Sequence, residues 1–150
     1  MLDATYYTDM NAKISSQKDQ IYTGKKELIA LRKDLLQLNS ENLKIDESWL
    51  DSLRAIEKES EYSPAQKLDK KSEIDSEIRA KQDENNRNIS NKNSQVTEAQ
   101  DKISGLIDQL QALEDQKIKR RKNDAYELKT IGKFFESNAF QSSTKTTRFS

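Results

Sequence analysis

Between residues 7 and 56, large apolar side chains return with a seven-residue beat. One set, a, is Tyr7, Ile14, Ile21, Leu28, Leu35, Asn42, Trp49 and Ile56; a second, d, is Met10, Gln17, Gly24, Leu31, Leu38, Ile45 and Ser52. Eleven of these fifteen positions are apolar, against 33% of the whole chain. Residues spaced alternately by three and four share one side of an α-helix, so the segment predicts one long helix with a narrow seam, as in a coiled coil. Gln17, Gly24 and Ser52 are its weak points, Gly24 by roughly 1 kcal/mol of helix propensity relative to Ala.

The same helix carries a second apolar row at position b: Tyr22, Ile29, Leu36, Leu43 and Leu50. Position b lies well over 90° from the middle of the a/d seam, on a face that a helix with one neighbour keeps polar. Either the row widens the contact with that neighbour or it is a second surface, for self-association or another subunit. The offset favours the second surface.

Ser63-Pro64-Ala65-Gln66 predicts a helix start, with Ser63 as N-cap, the lone Pro at the first helical position and Gln66 completing a capping box. In a helix interior that Pro would cost about 3 kcal/mol. A second frame follows: Leu68, Asp75, Gln82, Ile89, Val96, Ile103 and Leu110 at a, with Lys71, Ile78, Asn85, Lys92, Ala99, Leu106 and Leu113 at d. It is weakly apolar near the turn and strongly so from Ile89 onward. The Asn-rich stretch 85–95 is a poor helix former and allows a break into three helices, although Ile78, Ile89 and Val96 keep one frame across it.

Folded antiparallel with the pivot between Ser63 and Pro64, the two frames make layers whose residue numbers add to 127. Leu38 then meets Ile89, Leu31 meets Val96, Gly24 meets Ile103, and Trp49 meets Ile78. Asn42 falls opposite Asn85, where two amides can satisfy each other and select one register. Leu35 against Lys92 and Ile56 against Lys71 are poorer layers, tolerable if Lys lays its stem on the seam and sends its ammonium outward. The expected fold is therefore all-α, a long antiparallel helical hairpin. Its turn lies near 60–66, with arms of about 5–60 and 64–138 and a flexible Ser/Thr-rich tail over 139–150. It is expected to pack into a higher-order bundle. The competing topology is a kinked rod that pairs only with other chains.

In this register residue 7 lies beside residue 120. The frame of the second arm is expected to slip near 114, leaving Ile118, Leu128, Ile131, Phe134 and Phe135 as an overhang that docks a partner or folds back on Tyr6, Tyr7 and Met10. Lys117, Lys119, Arg120, Arg121 and Lys122 form the densest basic run. It reads as a solvated helix face balanced by Glu114, Asp115 and Asp124, and without interleaved aromatics it is a weak nucleic-acid signal.

Composition narrows the class of protein. Of the 150 residues 35% are charged, with 26 Lys plus Arg against 26 Asp plus Glu. Such a chain cannot fill a thick core, and its neutral balance disfavours a surface built wholly for nucleic acid. The three Gly and single Pro disfavour a turn-rich β domain. No signal peptide or membrane span is evident, which points to a soluble protein of the cytoplasm, a virion or a secretion apparatus. His and Cys are absent, and carboxylate pairs such as Glu57 with Glu61 have no pocket to split their pKa values. The expectation is a non-enzymatic chain without cofactor or metal.

The function expected is a structural or scaffolding coiled-coil subunit of a larger protein assembly, acting as strut and docking element, in a homo-oligomer or multi-protein complex. In outline such a hairpin resembles the stalks of bacterial type III export systems. That resemblance implies the alternative of a regulatory stalk or adaptor that inserts its open end into a secretion or motor machine. A phage or viral scaffolding protein is a further alternative.

Overall fold

The computed structural model describes residues 3–149, with side chains from Asp3 to Phe134. It contains two helices, α1 (Ala4–Lys58) and α2 (Pro64–Phe149), packed against each other as a hairpin, and no strand among the described residues. The kinked rod is thereby excluded. The side chains of Phe135 and of the Ser/Thr-rich end lie outside those described. The helix itself runs to Phe149, beyond the boundary expected near 138.

Asp3 starts α1, its Oδ1 accepting from the backbone N–H of Thr5 and Tyr6. Residues 59–63 form the turn. At its end the capping box closes as expected: Ser63 N–H donates to Gln66 Oε1 at 2.8 Å, and Gln66 N–H donates to Ser63 Oγ at 3.2 Å. Two of the amides that a helix start leaves orphaned are so satisfied. Lys67 Nζ donates to the Glu57 carbonyl at the end of α1, where a cation also complements the helix dipole. Ser63→Ala will cost about 1 kcal/mol, read as a lower urea midpoint with unchanged slope.

No break interrupts 85–95. Ser94 and Thr97 turn their hydroxyls back onto the Ser90 and Asn93 carbonyls, four residues earlier. Their hydrogen bonds are thus made without leaving the helix.

All fifteen a and d positions of α1 are buried or half-buried, and elsewhere on that helix only Tyr6, Asp34 and Leu53 share that state. The chain divides into two compact units. In the turn unit, Thr23–Ile103, the expected layers recur. Gly24 faces Ile103, whose Cγ1 lies 3.1 Å from where a Cβ on Gly24 would sit. Asn85 Nδ2 donates to Asn42 Oδ1 at 2.6 Å. Registers shifted by seven residues fit neither contact.

The asparagine layer differs from a reciprocal pair. Asn85, 6% exposed, gives its amide to the Leu38 carbonyl as well as to Asn42. Asn42 passes its own amide to Asn86 Oδ1. The donors form a relay across the seam, and no buried side-chain polar atom among the described residues lacks a partner.

The two Lys layers behave as their stems allow. Lys92 reaches Asp34 at 3.2 Å and Lys71 reaches Glu57, each carboxylate being the chain neighbour of the apolar residue in that layer. The Lys71 contact holds the Glu57 carboxyl below its ordinary range.

One part of the second frame is corrected. Leu68 and Asp75 are exposed, Leu68 at 69%. The covered positions beside the turn are Lys67, Lys71, Ile74, Ile78, Gln82 and Asn85, stepping four, three, four, four, three. One extra four-residue step rotates the buried face by one position. Asp75, outside the seam, accepts from Trp49 Nε1 at 2.8 Å and so lets the indole be half-buried with its N–H satisfied.

Candidate functional site

The second apolar row of α1 stays uncovered. In the turn unit Ile29, Leu36, Leu43 and Leu50 are 52%, 70%, 65% and 59% exposed. They do not widen the contact with α2. Their cause is local: seven-residue spacing fixes them on one face of α1, and the a/d set already turns the opposite side toward α2. Tyr22, in the other unit, is exposed as well.

That other unit joins Met1–Tyr22 with Ser104–Ser150. Met10, Ile14, Ile21 and Gln17 are buried on its α1 side. Gln17, a weak point by hydropathy, donates its amide to the Leu106 carbonyl and to Gln109 Oε1. A buried amide with two acceptors does not carry the desolvation cost of an unpaired one.

The expected slip of frame near 114 is not found. Lys117, Arg120 and Asp124 continue the three–four spacing from Leu110 and Leu113, all half-buried or buried, with Asp124 only 4% exposed. The seam changes chemistry rather than frame. Tyr7 donates its hydroxyl to Asp124 Oδ2 at 2.6 Å, Arg120 Nε donates to Asp124 Oδ1 at 3.2 Å, and the Arg120 guanidinium sits 4.6 Å from the Tyr6 ring centre. Tyr6 meets Tyr7 edge-on.

Electrostatics follow from this cluster. The hydrogen bond from Tyr7 holds the Asp124 carboxyl below its ordinary range, Arg120 adding to the effect and burial opposing it. The same bond, with burial and the negative charge beside it, raises the Tyr7 phenol above its ordinary value. A carboxyl depressed on folding contributes stability above its unfolded pKa, which is lost as pH falls through the folded value. A phenol raised on folding contributes below its unfolded pKa, and this is lost as pH climbs through the folded value. Tyr7→Phe will therefore move the Asp124 carboxyl titration upward, as followed by carbon NMR, and remove the alkaline loss of stability above about pH 10.

The basic run is split by this arrangement. Lys117 and Arg120 belong to the seam, while Lys119, Arg121 and Lys122 are exposed. Beyond Asp124, α2 runs past the start of α1. There Leu128, Ile131 and Phe134 are 48%, 44% and 63% exposed, as is Ile118 at 48%. α2 continues through them as one helix, with no turn that would fold this stretch back. Ile131 and Phe134 lie in the same frame as Asp124, seven and ten residues on, which the sequence reading overlooked by placing the slip earlier.

Among the described residues no group of three or more acidic, His or Cys side chains is placed to hold a metal ion. No described helix is long and apolar enough to cross a membrane. A hollow of about 450 Å³ is an open groove between Glu41, Ile45, Ile78, Asn85 and Asn88. No protein-family model, curated protein or solved structure matches this chain.

Proposed function

We propose that this chain is a structural coiled-coil subunit of a larger protein assembly, a helical strut that works through its exposed apolar faces and not through catalysis. The observation that carries this reading is the row Ile29, Leu36, Leu43 and Leu50, four large aliphatic side chains more than half exposed at heptad spacing. Regular apolar spacing on a solvent face is what a further helix packs upon, and large contiguous apolar patches mark interaction surfaces. The narrow seam buries little by itself, which suits a protein that gains burial by assembly.

A second reading is a stalk or adaptor whose end engages a larger machine. It is favoured by Leu128, Ile131 and Phe134, exposed where α2 has passed the start of α1. In either case the partners are proteins. The test is the size of the native complex in extracts of cells that make the chain. The wild type will migrate well above twice its 17.3 kDa. Leu36→Glu with Leu43→Glu will collapse that species if the strut face holds it, and Leu128→Glu with Ile131→Glu if the stalk end does. Migration at 17.3 kDa or its double would refute both.

A further inference from the structure

We infer that the occupant of the Ile29–Leu50 row is a second copy of this chain, lying antiparallel across it. This rests on the strut reading above and names its partner.

The row is bordered by charge of opposite sign at its two ends. Residues three and four away from a row member share its face. Toward the start of the row these borders are Lys25, Lys26, Arg32 and Lys33. At its middle they are Asn39 and Ser40, and toward its end Asp46 and Glu47, with Leu53 and Arg54 past Leu50. All but the half-buried Leu53 are exposed. Lys25, Arg32, Lys33 and Glu47 take part in no ion pair among the described residues, and Asp46 accepts only a neutral amide, that of Gln82. From Lys25 to Glu47 the face therefore reads basic, neutral, acidic along one helix, with Arg54 a lone cation past the acidic pair.

Such a face is complementary to itself only when reversed. A parallel, in-register copy would set Arg32 beside Arg32 and Glu47 beside Glu47. An antiparallel copy sets basic on acidic about a two-fold axis, the symmetry that closes a dimer. Heptad spacing permits two central registers. With the axis between Asn39 and Ser40, Leu36 packs beside Leu43, and Arg32 and Lys33 face Asp46 and Glu47. With the axis at Leu36, Lys25 and Lys26 face that same acidic pair. Both place the neutral Asn39–Ser40 stretch near the centre. In the first register the outermost border pair, Lys25 with Arg54, is like-charged and limits the contact at its ends. Like charges set against each other exclude the wrong orientation as effectively as opposite charges favour the right one.

The experiment uses the full purified chain. Sedimentation will show a species of twice 17.3 kDa. A spin label at exposed Ala55, reached through Ala55→Cys, will report an interchain distance of about 45–60 Å, where a parallel pair would give about 15 Å. An acidic variant (Lys25, Lys26, Arg32 and Lys33 all to Glu) and a basic variant (Asp46→Lys, Glu47→Lys) will each lose dimer by at least tenfold in dissociation constant. Mixed one to one, they will recover it. A monomeric wild type, a short Ala55 distance, or a mixture that stays dissociated while both variants remain helical would each overturn the inference. A monomeric purified chain within an intact cellular complex would leave the strut reading standing. A purified dimer without that complex would do the reverse.

Discussion

Truncating Ile103 to Ala will lower the unfolding free energy by about 3 kcal/mol, while the same truncation at Ile107, four residues on, will cost well under 1 kcal/mol. Ile103 is 7% exposed and Ile107 41%. The larger cost arises because Ile103 fills the layer for two: opposite it stands Gly24, with no side chain to relax into the space. The two residues are therefore coupled. Gly24→Ala in the native background brings its new methyl to 3.1 Å from Ile103 Cγ1, and a β-branched side chain on a helix has few rotamers with which to yield. That contact offsets the roughly 1 kcal/mol of helix propensity gained. With Ile103 already truncated, Gly24→Ala will return the whole propensity gain and refill part of the cavity. Urea unfolding of the four members of this cycle measures the coupling.

Replacing Asn42 and Asn85 together with Leu will raise stability by about 2 kcal/mol and loosen the register. Each amide now keeps a layer polar, and a Leu pair would bury apolar area in its place. Asn85→Leu alone will instead destabilise by about 1–2 kcal/mol, because Asn42 loses the donor to its carbonyl and the Leu38 carbonyl loses its second partner. The sign change between single and double variants distinguishes a register device from a simple packing defect. Loosening of register will be visible as a broadened distance distribution between labels on the two helices.

Much of the fold is legible in the sequence because α1 repeats without error and because Ser63, Pro64 and Gln66 each mark the same helix start by a different mechanism. Antiparallel pairing then follows from placing two frames about one pivot. Three features were less visible. Beside the turn, Lys67 and Ile74 replace Leu68 and Asp75 in the covered face. Long Lys side chains can reach Glu57 from there, and hydropathy does not count that reach. Past Leu113 the seam is written in Lys117, Arg120 and Asp124, so an apolar pattern reports a slip where the frame persists. A Tyr seven residues from the start of the chain, facing an acid beside an Arg, was the available signal. Gln17 scored as a defect and is a bonded core residue. In each case hydrogen-bond chemistry took a place that periodicity assigns to carbon.

The candidate surfaces were legible in another sense. The row Ile29 to Leu50 stood out because it lies off the seam, and Leu128 to Phe134 because they reach past the start of α1; both are exposed. The proposed self-pairing of the Ile29–Leu50 row rests on charge along its borders. That pattern emerged once the uncovered face was known and its neighbours could be read as borders.

α2 lies back along α1 in the register that pairs Asn42 with Asn85. Glu41 and Asn88 are exposed and line one groove, so spin labels at Glu41→Cys and Asn88→Cys leave the seam intact. With labelled chains diluted into unlabelled ones, the hairpin predicts a narrow intrachain distance near 20 Å. A separation near 70 Å, that of 47 residues on one unbent helix at 1.5 Å each, would contradict it.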